Sequence, residues 1–199
     1  MKDLKEVKEL LVVIDVINGF VTQGPMSDKY IAHIVPGIEE LVKKYVKENN
    51  SEVFYIRDAH SKNAIEFKKF PIHCVDGTSE SEVVDELKAY ENSVRTYKKN
   101  STSAIFAKGL LEDLQAMSKL KKVVVVGCCS DICVLNFVLP LVNYFDENDL
   151  DITVEVREDL IETYHSNTHD RDEYNEISKK LLKQAGAKIT RSEVKKNVR

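Results

Sequence analysis

Three side chains, each just beyond an apolar run, could together perform nucleophilic chemistry. Asp15 ends the run Glu9-Leu10-Leu11-Val12-Val13-Ile14, Lys99 follows Val94-Arg95-Thr96-Tyr97, and Cys133 follows Val123-Val124-Val125-Val126-Gly127. If these runs are parallel, neighbouring strands, all three project at one edge of a sheet. An ammonium beside a thiol favours the thiolate, and a carboxylate can take the thiol proton and later return it to a leaving group. Taken singly, Asp15 is as readily a strand-end cap, Lys99 a surface charge and Cys133 a small core residue.

A second group lies between the first two of these runs. Asp58 and His60, then Glu66, then His73 offer two imidazoles and two carboxylates in and around one long loop. That donor set suits a divalent metal, zinc first and manganese or iron next, with water completing the coordination.

The elements that must position these groups follow from periodicity. Val123–Val126 has no polar alternation, the mark of a strand buried on both faces of a parallel sheet. Ser130 and Asp131 are good N-cap residues, and Ile132, Val134, Leu135, Val138 and Leu139 recur at helical spacing, so Cys133 is expected in a helix's first turn. There the free N–H groups and the helix dipole favour a thiolate. Further strands are expected at Val53–Ile56, Ile152–Val156 and Lys188–Thr190. Helices are expected over about 36–48, 108–118 and 168–184. Residues 61–92 read as a long functional loop with one short helix near 81–87. Strands and helices alternate throughout, which predicts an α/β three-layer sandwich, a central, mostly parallel six-stranded sheet flanked by helices, in one domain spanning 1–199. His165 and His169, near the last helix, have no assigned role and are expected at the surface.

Composition narrows the partners. With 199 residues, 43% hydrophobic, the chain can bury a substantial core, and a net charge of -4 argues against a nucleic-acid or polybasic membrane surface. The basic stretch Lys195-Lys196-Asn197-Val198-Arg199 reads as a solvated tail. No apolar run approaches the roughly 20 residues of a membrane span. The mixed charge of residues 1–6 has no signal-peptide core, so a cytoplasmic protein is expected. Four cysteines, two of them adjacent, read as reduced thiols or ligands rather than a disulfide framework.

Five motifs in order then match one family. Val13-Ile14-Asp15 with Phe20, Asp58-x-His60, Phe70-Pro71-Ile72-His73-Cys74-x-x-Gly77-Thr78, Lys99-x-x-Thr102-Ser103-Ala104 and Gly127-x-x-Ser130-Asp131-x-Cys133-Val134 resemble the isochorismatase-like cysteine hydrolases, and within them the nicotinamidase group. The resemblance implies hydrolysis of a small amide, nicotinamide foremost, by a triad of Asp15, Lys99 and Cys133 through a thioester. It also implies a cis peptide between Cys128 and Cys129, with the N–H groups of Cys129 and Cys133 as an oxyanion hole. Asp58, His60 and His73, with Glu66 as a fourth ligand, would hold the metal, which in that group takes the substrate's ring nitrogen. Phe20, Phe70 and Cys128 would bind substrate, and the protein would be a homo-oligomer. Related hydrolases that act on another small amide, a carbamoyl compound or isochorismate are the alternative. A non-catalytic module with structural or zinc-binding cysteines is a more distant one. The chain departs from the family pattern at Phe70, where tryptophan is common, and at Thr102-Ser103-Ala104-Ile105, where Tyr-Ser-Ala-Phe is common.

Overall fold

The computed structural model describes residues 2–192. The basic stretch 195–199 lies outside the described residues.

The chain runs β1 (Glu9–Ile14), α1 (Asn18–Val21), α2 (Val35–Lys47), β2 (Ser51–Asp58), α3 (Asp85–Lys88), β3 (Arg95–Lys99), α4 (Leu110–Ala116), β4 (Lys122–Cys128), α5 (Leu135–Glu147), β5 (Thr153–Glu162), α6 (Arg171–Gln184) and β6 (Lys188–Thr190). All six strands join one sheet in the order β3-β2-β1-β4-β5-β6, and every adjacent pair is parallel. The expected α/β fold is the observed one, with an all-parallel sheet.

The unalternated strands are buried on both faces, as the composition of β4 requires. Leu10, Val12, Val123 and Val125 pack toward a core shared with Phe137, Val138 and Leu141 of α5 and Leu110 and Leu114 of α4. Leu11, Val13, Val124 and Val126 face the opposite core, with Ile38 and Val42 of α2 and Leu87 of α3. Each of these fully buried side chains contributes about 1.5–3 kcal/mol relative to exposure, so the central strands anchor both layers.

Strand order reverses between β1 and β4, and ligands of open parallel sheets bind at such a reversal. Gly127 sits there with φ of 116°, and a Cβ on it would lie 2.0 Å from the Ile14 carbonyl oxygen. Only glycine permits that approach, which brings the chain after β1 and the chain after β4 together.

Several boundaries differ from expectation. β5 extends to Glu162, six residues past the apolar run, because a half-buried stretch tolerates Arg157, Glu158 and Asp159 before Leu160 and Ile161 return to the core. Residues 61–92 hold two short 3-10 turns, Ile65–Lys68 and Ser79–Ser81, besides α3, and enter a third at Glu91–Ser93. α6 begins at Arg171, where the Asp170 side chain accepts the Glu173 N–H. No described helix is long and apolar enough to cross a membrane.

Candidate active site

Asp15 leaves β1 with φ of 52°, a left-handed conformation that aspartate tolerates better than most residues. Its N–H still donates to Ile56 of β2, while its carboxylate Oδ1 accepts the Asp58 N–H at 2.9 Å. The turn thus fixes the second oxygen, Oδ2, which lies 2.8 Å from Lys99 Nζ.

Lys99 comes from β3, which is not a neighbour of β1, so the expectation of three adjacent strands needs correction. β2 lies between, and the β2–β3 register pairs Asp58 with Lys99. The long lysine side chain crosses the end of β2, contacts Asp58 Oδ1, reaches Asp15, and lies 3.6 Å from Cys133 Sγ. The ammonium is buried, as are Asp15, Asp58 and Cys133. Asp15, Asp58 and Cys133 each place a polar atom within 4.8 Å of the others.

The fields in this buried cluster are large. Burial pushes the Asp15 carboxyl up to about 6, with Lys99 opposing and Asp58 adding to the rise. Burial would also raise Asp58, but Lys99 and the two imidazoles outweigh it and keep that carboxyl far below the usual range. Desolvation works against charge on Lys99, and the two carboxylates overcome it. Burial pushes the Cys133 thiol well up; Lys99 pulls it back, while Asp15 and Asp58 raise it further. The resting arrangement is therefore a thiol beside a carboxylate whose own proton affinity has been raised.

Cys133 stands in the turn Ser130–Val134, which is π-helical and precedes α5. The first-turn placement holds, but the assigned cap does not. Cys129 occupies the cap position without a side-chain cap bond; Ser130 and Asp131 spend their oxygens on Asn175, Thr163 and His169 instead. The peptide between Cys128 and Cys129 is cis.

Asp58, His60 and His73 form the second group, with one donor atom each within 4.8 Å of one another. His73 Nδ1 can donate to the Pro71 carbonyl at 2.7 Å, and in the neutral ring that bond leaves Nε2 free to offer a lone pair. His60 directs Nδ1 at Asn100 Oδ1, and its buried Nε2 has no hydrogen-bond partner. Both Nε2 atoms face Asp58 Oδ2, at 3.4 and 3.8 Å. Two oriented lone pairs and a carboxylate, each backed by an outer partner, fit a divalent cation. Burial opposes charge on His60, and the Asp58 carboxylate outweighs it and raises its pKa. Glu66 is half-buried and lines the same pocket but stands outside this trio.

The two groups meet across one cavity walled by Phe20, Phe70, Thr102, Cys129, Ile132 and Tyr164. Cys128 does not reach that wall; its buried thiol donates to the Asp15 carbonyl at 3.1 Å. Tyr164 and Met26, which also lines the cavity, lie outside the motifs and were missed. His169 was missed too: it is buried, not exposed, while His165 is about half exposed. A tyrosine five residues to either side was the available signal.

The fold and this pair of clusters define a hydrolase-like α/β protein, and comparison gives the family. A family model described as the Isochorismatase domain matches residues 9–194, so this chain belongs to the isochorismatase family of hydrolases. Nicotinamidase 1 of Arabidopsis thaliana is 30% identical over 142 residues, which cover 64% of this chain and 57% of that protein. The chain therefore spans little more than half the length of that relative. Pyrazinamidase of Pyrococcus horikoshii, solved in complex with zinc, superposes with a TM-score of 0.75 at 23% identity, over 92% of this chain and 99% of that one. N-carbamoylsarcosine amidase of Thermoplasma acidophilum superposes with a TM-score of 0.77 at 22% identity, over 94% and 98%. At these identities the two structures show a shared fold.

Proposed function

We propose that this protein is a nicotinamidase, hydrolysing nicotinamide to nicotinate and ammonia. The observation that carries the proposal is the shared position of Lys99, whose ammonium contacts Asp15 and Asp58 and lies 3.6 Å from Cys133, beside a trio fit for a metal. The 30% identity to a nicotinamidase supports it.

Asp15 accepts the Cys133 proton, and Lys99 stabilises the thiolate as sulfur attacks the carboxamide carbon. The N–H groups of Cys129 and Cys133 receive the developing oxyanion. Asp15 then gives its proton to the departing ammonia as the C–N bond breaks, leaving a thioester. Asp15 next takes a proton from water, whose oxygen displaces the sulfur and releases nicotinate. Asp58, His60 and His73, with Glu66 as a further candidate, would hold a divalent metal, zinc first, which would supply a Lewis acid for the substrate's ring nitrogen. Phe20 and Phe70 enclose the ring.

Ammonia release from nicotinamide and pyrazinamide by wild type and Cys133→Ala tests this. Turnover should vanish in Cys133→Ala while fold and metal content persist; near-normal release from that variant refutes the mechanism. A second reading, hydrolysis of another small amide or a carbamoyl compound, is favoured by one observation. Thr102 stands on the cavity wall where the family often presents an aromatic ring. Preference for such a compound over nicotinamide in the same assay would select it.

A further inference from the structure

Outside the two clusters, a polar network among the described residues adjoins the turn that carries Cys133. His169 is sandwiched between two tyrosines. Its ring centroid is 3.9 Å from Tyr164 at 10° and 3.7 Å from Tyr174 at 23°. Its Nε2 lies 2.9 Å from Asp131 Oδ2 and its Nδ1 lies 3.0 Å from the Tyr164 carbonyl oxygen. Both partners are acceptors, so both bonds form together only when both ring nitrogens carry hydrogen.

Each contact leads to the cavity by a different route. Asp131 is two residues before Cys133 in the Ser130–Val134 turn, and its other oxygen accepts from the Thr163 hydroxyl at 2.6 Å. Ser130 of the same turn donates to Asn175 at 2.6 Å, and Asn175 donates to Glu162. The turn is therefore tied to the end of β5 and to α6 rather than capped by its own side chains. Tyr164 is on the cavity wall with Cys129, Ile132 and Cys133.

We infer that His169 is a positioning residue serving both walls: through Asp131 it holds the sulfur-bearing turn, and through ring stacking it holds Tyr164 as an aromatic face of the substrate cavity. The inference rests on Cys133 being the nucleophile. The imidazole touches neither the sulfur nor the cavity, so its influence passes through those two residues. The two functions should separate genetically. His169→Phe keeps a ring between the tyrosines and loses the donor to Asp131, whereas His169→Gln keeps an N–H near the Nε2 position and loses the stack.

The test measures kcat and KM for nicotinamide together with the rate at which iodoacetamide alkylates Cys133, followed by peptide mass spectrometry. His169→Phe should slow both alkylation and kcat about tenfold or more with KM within about twofold, since small misplacements of reacting atoms are costly in rate. His169→Gln should raise KM about tenfold and leave alkylation near wild type, the signature of lost binding shared by ground and transition states. Thr163→Val removes the other bond to Asp131 and should reproduce the His169→Phe pattern, so it decides the matter if His169→Phe does not fold. Equal effects of the two His169 variants on both readouts, or no effect on either, overturn the inference. If wild type does not hydrolyse nicotinamide, the substrate reading falls, and the alkylation rates still decide the positioning role. If Cys133 is alkylated no faster than Cys74, Cys128 and Cys129 in wild type, the nucleophile assignment falls and this inference falls with it.

Discussion

Lys99→Met replaces a buried ammonium with an apolar side chain of similar length and leaves Asp15 and Asp58 facing each other across its place. Removing one partner of a buried ion pair costs about 3–5 kcal/mol, because the remaining charge is left in low dielectric. With a urea dependence of about 3 kcal/mol per molar, the unfolding midpoint should fall by roughly 1–2 M. The deficit should also depend on pH in a definite direction. Lys99 opposes the rise in the Asp15 pKa, so in the variant that carboxyl goes above the value of about 6 it has with Lys99 present. A carboxyl whose folded pKa exceeds its unfolded value of about 3.9 loses stability as pH rises through that interval. The gap between Lys99→Met and wild type should therefore be wider near about pH 8 than near about pH 5, where loss of the Lys99–Asp58 contact already contributes. Urea titrations at both pH values, in the presence of chelator so that no metal contributes, measure it. Equal midpoints for the two proteins at the higher pH would show that the ammonium is not compensating buried carboxylates, and the electrostatic account of the site would be wrong.

Three further perturbations have defined outcomes. Gly127→Ala should destabilise by about 3 kcal/mol or more, from the positive φ together with the clash on Ile14, and a thermal melt unchanged from wild type would contradict the close approach. His73→Ala should lose bound divalent metal by elemental analysis while retaining its circular dichroism, and chelation of wild type should cut turnover about tenfold or more; full activity in metal-free protein counts against a working metal site. Burial alone would raise the Asp28 carboxyl, but the N–H groups of Tyr30 and His165 and the Arg171 guanidinium outweigh it and hold it below the usual range. Asp28→Asn should then cost about 1–2 kcal/mol near neutral pH, and the penalty should shrink as pH falls below about 4, the unfolded carboxyl value, toward the lowered folded pKa; a penalty constant across that range would point to packing instead.

What could be read from the sequence was whatever depends on one element at a time. The valine run of β4 and the spacing of Ile38, Val42 and Tyr45 in α2 declare burial directly, because the side chains that face a core repeat with the period of their own backbone. Relations between elements were not legible. Asp58 looked like a ligand alone, and its contact with Lys99 depends on the β2–β3 register. Ser130 and Asp131 looked like caps because their residue types suit caps, whereas α6 and the end of β5 supplied better partners. His169 offered no periodic signal, since its burial depends on two tyrosines folding over it. The charged stretch Arg157–Asp159 hid the continuation of β5 because polar residues at a half-covered position carry little penalty.

The two rims of the sheet carry a consequence for assembly. A bare outer strand offers unpaired amides on which another chain can continue the ladder. Here one rim, β6, is three residues long, and the other, β3, carries exposed Lys98 and partly covered Arg95. Lateral growth from either side would have little backbone to grip or would have to bury cations. Copies of this chain that associate should therefore do so through helices and connecting segments, and each protomer should keep its own six-stranded sheet.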